Sequence, residues 1–159
     1  MSKQRRCIAK FGDPTKDRAT FEKRHMVLYD IPDDINKVIP VLPNRIYCNK
    51  VIVEPLTNVL NDLVISGLYK EIKTYDGCFN IRKSRGTNVI SMHSFGIAID
   101  MNAAWNPLLR GVHPNKRAEL RKEYVKWSEK FLDVWRRNGW DCGADWNTVL
   151  DGMHFEIKL

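Results

Sequence analysis

The chain has 159 residues, enough for one hydrophobic core that needs no disulfide or metal staple to fold. Apolar residues make up 43% and charged residues 28%, which excludes wholesale disorder, and no apolar run approaches membrane-spanning length. Lys and Arg number 26 against 19 Asp and Glu, and the resulting +7 favours anionic partners such as nucleic acid, acidic lipid or cell-wall polymer without choosing among them.

In chain order, the stretch to about Thr20 is polar, carries the turn signal Gly12-Asp13-Pro14, and reads as an N-terminal arm (1–20) laid on a single domain spanning 1–159. Met26–Tyr29 and Arg45–Cys48 are candidate short strands, and 31–43, with its three prolines, reads as a loop. The first helix is expected from near Pro55, with Leu56, Val59, Leu60, Leu63 and Val64 at helical spacing and Gly67 as its stop. Lys70–Tyr75 is expected as a strand. Ile97–Met101 is an apolar strand with one carboxylate inside it. A long helix is predicted over 115–138, with Leu120, Tyr124, Trp127, Phe131 and Val134 as its apolar stripe and Gly139 as its end. Met153–Lys158 alternates as a last strand. Without regular βαβ alternation, this order predicts an α+β fold in which a small antiparallel sheet packs with helices.

The four cysteines, Cys7, Cys48, Cys78 and Cys142, form no C-x-x-C pair, so a zinc ribbon is not expected. Cys78 has no neighbouring base and reads as a small buried residue rather than a nucleophile. Met1–Lys10 is basic and no apolar segment follows, so no secretory signal is visible and synthesis in the cytoplasm with reduced thiols is expected.

Two segments carry the chemistry, Ser91–Asp100 (SMHSFGIAID) and Asp151–Glu156 (DGMHFE). A carboxylate inside an apolar strand, as at Asp100, needs a cation or hydrogen-bond donors as partner. His93 stands just before that strand and His154 lies within the last one. Two imidazoles and a carboxylate can give three zinc ligands and leave a fourth position for water. Each also has a plainer reading as a core residue satisfied by backbone groups. His25 and His113 have no partner motif and read as incidental.

The pattern Ser91-x-His93-x-x-Gly96-x-Ala98-x-Asp100, followed by Asp151-x-x-His154, resembles the signature of zinc D-alanyl-D-alanine carboxypeptidases and L-alanyl-D-glutamate endopeptidases, including VanY-type enzymes and phage endolysins. Gly77–Arg82 resembles that family's segment with an active-site arginine, and Gly143-Ala144-Asp145-Trp146 its turn before the last ligand, with Ala144 where glycine is frequent, a departure that would strain the turn. Tyr47–Lys50 and Glu54–Leu56 resemble its approach to the first helix more weakly. The resemblance implies a compact zinc-peptidase domain with His93, Asp100 and His154 as metal ligands, Asp151 as general base and Arg82 facing the scissile carbonyl. Asp145 and Glu156 are rival bases; Glu156 shares a strand face with His154 and could instead orient that ligand. Ser91 either binds substrate or caps a turn.

The implied activity is hydrolysis of a peptide bond in peptidoglycan stem peptides. An L-alanyl-D-glutamate endopeptidase of endolysin type is preferred over a D-alanyl-D-alanine carboxypeptidase or dipeptidase. Small size, basic charge and the missing signal all favour it, and action on the wall would then need another route out. A non-catalytic zinc-binding module is the alternative from another class. No nucleic-acid reader motif is present, so nucleic acid is not an expected partner, and a monomer is expected.

Overall fold

A computed structural model describes residues 1–159. The polar N-terminal stretch folds into helices α1 (Lys3–Phe11) and α2 (Arg18–His25). Ser2 caps the first by accepting the Arg5 N–H, and Asp17 caps the second by accepting that of Thr20. Cys7, Phe11 and Phe21 are the apolar residues these helices contribute to the core, so both are anchored from beneath.

Strands β1 (Met26–Asp30) and β2 (Arg45–Asn49) form an antiparallel pair with Met26 opposite Asn49. Between them, 31–43 is not simply a loop, because α3 (Asp33–Val38) lies there with Ile35 buried. Its prolines bracket the helix instead of interrupting it: Pro32 stands at the N-cap, and Pro40 and Pro43 follow the last turn. Helix α4 (Val53–Ser66) buries Leu56, Val59, Leu60 and Leu63 and stops at Gly67, whose φ of 76° is the left-handed conformation of a helix end.

The expected strand over Lys70–Tyr75 does not form. A 3₁₀ turn occupies Leu68–Glu71, and β3 is only Tyr75–Gly77. The side-chain oxygen of Asn102 accepts the N–H groups of Lys73 (2.7 Å) and Thr74 (3.0 Å), satisfying backbone that would otherwise seek a strand partner.

The main sheet contains β3, β4 (Ala98–Met101), β6 (Trp140–Cys142) and β8 (His154–Ile157), in the antiparallel order β3-β4-β8-β6. Two short strands, β5 (Leu108–Arg110) and β7 (Val149–Asp151), pair beside it with Leu108 opposite Asp151. The molecule is thus α+β, with helices and small antiparallel sheets sharing one hydrophobic core.

The single long helix expected over 115–138 is two helices, α5 (Arg117–Tyr124) and α6 (Glu129–Arg137). The break has identifiable partners. Lys126 N–H donates to Asn106 Oδ1 (2.7 Å), the Trp127 indole donates to the Gly152 carbonyl (2.7 Å), and Ser128 Oγ caps α6 by accepting the Phe131 N–H. Helix α5 buries nothing, so Leu120 and Tyr124 do not extend the buried stripe. That stripe is confined to Trp127 and α6: Trp127 stacks on Phe131, and Trp135 stacks on Phe155 of β8, each pair 4.2 Å between ring centroids. These rings hold the strand that carries His154. The turn Gly143–Asp145 accepts Ala144 without strain, since Asn102 is the one non-glycine residue with positive φ.

Candidate metal centre

His93 lies in a 3₁₀ turn, Met92–Phe95, that ends on Gly96. Gly96 has φ 65°, and a Cβ there would sit 2.8 Å from Met26 Sδ and 2.9 Å from Asn49 N, so the motif glycine is demanded by both conformation and crowding. Ser91 caps this turn by accepting the His93 N–H, while also lining the cleft. Ser94, which the sequence reading passed over, is fully buried. It accepts the Arg82 N–H (2.9 Å) and donates to the Arg82 carbonyl (2.8 Å), which fixes the backbone of Arg82 beside the histidine turn.

Strand register brings the other two ligand candidates together, because Asp100 of β4 pairs directly with His154 of β8. His93 Nε2 stands 3.1 Å from Asp100 Oδ2 and 3.2 Å from His154 Nδ1, and His154 Nδ1 stands 3.1 Å from Asp100 Oδ1. Donors roughly 2.0–2.1 Å from a tetrahedral ion lie about 3.3 Å from one another, so the two ring nitrogens and the carboxylate, which approaches each of them with a different oxygen, have the spacing of a metal site. The outer ring nitrogens are already committed. His93 Nδ1–H donates to the Cys78 carbonyl (2.7 Å), and His154 Nε2 lies 2.9 Å from the Glu156 carboxylate. These contacts set the tautomers that leave the inner nitrogens free for a metal. Glu156 therefore orients the ligand candidate His154. It is buried and also paired with Lys3 of α1, whose ammonium reaches Asp141 as well (3.0 Å).

Burial opposes the charge of His154, but the carboxylates of Asp100 and Glu156 outweigh it and hold the imidazolium of the metal-free protein up to about 10. Burial likewise opposes ionisation of Asp100, and the two histidines overcome it, holding its carboxyl far below the usual range.

Asp151 ends β7 on the same cleft, of about 550 Å³, which His93, Asp100, His154, Ser91 and Arg82 also line. Burial pushes its pKa up, and its Oδ1 is buried without any hydrogen-bond partner, a rare state for a native carboxylate and one that suits a group awaiting a proton or a ligand. Asp145 is differently placed. Arg136 grips it through two bonds of 2.6 and 2.8 Å, Arg121 adds a third contact, and it does not line the cleft. It is a structural anion.

Sequence reading missed three features of the cleft. Lys3 and Arg5 reach it from α1, Arg110 reaches it from β5, and the Trp146 ring lies 5.4 Å from that of His154. No local motif marks Lys3, Arg5 or Arg110, which only the tertiary fold brings to the cleft; Trp146 belongs to the turn before His154, though nothing in that motif showed its ring against the histidine. Arg5, Arg82, Arg85 and Arg110 all line the cleft and none forms an ion pair, although Arg82 Nη1 donates to the Lys83 carbonyl (3.3 Å). The four cysteines are buried and free, and burial pushes their thiols up, to about 11 for Cys7 and about 12 for Cys48 and Cys142, so none is poised as a nucleophile. His113 caps the short turn Pro114–Lys116, and His25 packs between Phe11 and Phe21.

Two imidazoles and a carboxylate at metal spacing, in an open cleft with an unpartnered carboxylate and guanidinium groups, define a candidate hydrolytic metal centre. Residues 84–157, which include all three ligand candidates and Asp151, match a family model described as D-alanyl-D-alanine carboxypeptidase. The match covers just under half of the chain, and over those residues the protein is similar to this peptidase family. Comparison with curated proteins and with solved structures gives no match.

Proposed function

We propose that the protein is a zinc-dependent hydrolase of peptidoglycan stem peptides, with His93, Asp100 and His154 as the metal ligands. The observation that carries this reading is their clustering at 3.1–3.2 Å beside Asp151, a half-buried carboxylate whose Oδ1 has no hydrogen-bond partner. Zinc bound there supplies Lewis acidity, which activates water and polarises the scissile carbonyl at neutral pH. Asp151, its pKa raised by burial, takes the proton of the attacking water and returns it to the leaving amine. Arg82 donates hydrogen bonds to the oxyanion that develops on the carbonyl. Ser91 holds substrate from the wall of the cleft while its hydroxyl oxygen receives the His93 N–H.

Of the bonds in a stem peptide, L-alanyl-D-glutamate is favoured. The unpaired guanidinium groups around the cleft suit a substrate carrying a carboxylate beside the scissile bond, as D-glutamate does. Cleavage of D-alanyl-D-alanine is the second reading. The matched family's description favours it, and a terminal carboxylate would suit the same cations. A non-catalytic zinc module accounts for the ligands but gives Asp151 and Arg82 no task. In an endolysin-like role, a monomer made in the cytoplasm would reach the wall after release by another route. Digestion of purified peptidoglycan followed by mass spectrometry tests the reading. New amino termini at D-glutamate are expected; loss of terminal D-alanine alone would favour the carboxypeptidase, and an unchanged digest would refute both.

A further inference from the structure

Helix α1 lies outside the 84–157 stretch matched by the family, yet it is joined to the metal centre by a continuous polar chain. The chain runs from Asp141 to Lys3 to Glu156 to His154, ending on the nitrogen opposite the one that faces Asp100. Asp141 and Glu156 are also cross-strand partners on β6 and β8, so Lys3 bridges two carboxylates that the sheet forces side by side. Without a cation, those two like charges would repel across the strand pair, and Glu156 is only 3% exposed, too buried for solvent to screen it. Gln4, the next residue, accepts the Ile90 N–H at 2.8 Å, which pins the start of α1 to the segment leading into the His93 turn. Farther along the helix, Cys7 and Phe11 are buried in the core, so the position of Lys3 is fixed at its far end as well.

We infer that Lys3 is a positioning residue for the metal centre, holding Glu156 in the orientation that presents His154 Nδ1 to the metal. The inference rests on the metal-site reading and extends it to a part of the chain that carries none of the motif. Lys3 acts through Glu156 and is not itself one of the ligand candidates. Its removal leaves Glu156 free to turn away from His154 toward solvent, and His154 then loses the acceptor that sets its tautomer.

Lys3→Met, which keeps the apolar stem and removes the charge, is compared with Lys3→Arg and with Arg6→Met. Arg6 lies on the same helix, is exposed and does not line the cleft. Zinc affinity is measured by competition with a chromophoric chelator, the visible spectrum is recorded for the cobalt-substituted protein, and circular dichroism and thermal unfolding are followed without metal. Outer partners of metal-ligating histidines typically contribute 10–100-fold to affinity, so Lys3→Met should bind zinc about 10-fold or more weakly and shift the cobalt bands. Its kcat should fall more than its KM changes, Lys3→Arg should restore most of the loss, and Arg6→Met should match the parent.

A Lys3→Met protein that is folded by circular dichroism yet has parental zinc affinity and cobalt spectrum would overturn the inference. So would equal losses in Lys3→Met and Arg6→Met. If Lys3→Met does not fold, Lys3→Arg decides: it retains the cation, so a folded Lys3→Arg with parental affinity and spectrum supports the inference, and one that folds but binds zinc as poorly as a ligand variant overturns it. A parent protein that binds no zinc would instead overturn the metal-site reading, a result distinct from any of these.

Discussion

Asp151 and Glu156 show how position, not residue type, divides the work of two nearby acids. Glu156 is buried but fully engaged, by His154 on one side and Lys3 on the other, and His154 and Lys3 overcome the effect of burial to hold its carboxyl below the usual range. Asp151 is also mostly buried, has an oxygen with no partner, and is pushed upward by burial. A carboxylate so placed weakens the fold, because its desolvation is not compensated. Asp151→Asn should therefore unfold at the same temperature as the parent or a higher one and should keep its metal. Its peptidase activity should fall by ~10²–10⁴-fold, the usual contribution of proton transfer. Thermal unfolding, metal analysis and a peptide assay on one preparation check the three statements together. A variant that lost metal and stability along with activity would make Asp151 a structural residue instead.

At the scale of elements, the sequence disclosed those parts whose signals are local. The ligand segments, the strands that carry Asp100 and His154, and helix α4 with its Gly67 stop all stand where spacing and motif put them. The long helix over 115–138 failed because Val125–Ser128 is held by distant partners, Asn106, Gly152 and Glu71, which no local window contains. The one local clue was Ser128 preceding Glu129, a serviceable helix cap in mid-pattern. Helix α3 was hidden by prolines that in fact flank it, and the strand over Lys70–Tyr75 was replaced by bonds from Asn102. The cleft walls from α1 and β5 were illegible for the same reason: tertiary packing alone brings them to the motif. Gly143 makes the point in reverse, since the sequence shows the glycine but not its neighbour. A Cβ there would lie 2.9 Å from the Asp151 Cβ and nearer still to the Asp151 carbonyl oxygen. Gly143→Ala must then displace the end of β7, and with it Asp151, the proposed base. Activity should fall at least as far as in Asp151→Asn, and the melting temperature should drop, which Asp151→Asn does not cause. An alanine variant with parental stability and activity would mean that the turn and β7 are not in rigid contact.

Across the whole molecule, the candidate metal centre joins segments far apart in the chain: α1 through Lys3, the turn carrying His93, β4 and β8. Protons and metal compete for that junction. In the metal-free protein the imidazolium of His154 is clamped between Asp100 and Glu156 and keeps its proton up to about 10, whereas in the unfolded chain it titrates near ~6.5. A pKa raised by folding gives stability that is fully present below the unfolded value and is lost as the pH climbs to the folded one. Asp100 has the opposite sign: its carboxyl is held low, so its contribution is present above the unfolded value, near ~3.9, and is lost only in stronger acid. Between ~pH 6.5 and about 10, then, the metal-free protein should lose stability from the His154 clamp while the Asp100 contribution stays constant. Zinc reverses the trend, because a coordinating imidazole must be neutral, so binding releases the proton and tightens as the pH rises. The melting temperatures of zinc-loaded and chelator-treated protein should consequently diverge from pH 6 to pH 9, with the metal-free form falling. Calorimetric zinc titrations at neutral pH, in buffers of different ionisation enthalpy, should find about one proton released per zinc. A constant gap in melting temperature, with no proton released, would show that His154 is neutral before the metal arrives and that Asp100 and Glu156 orient the ring without charging it.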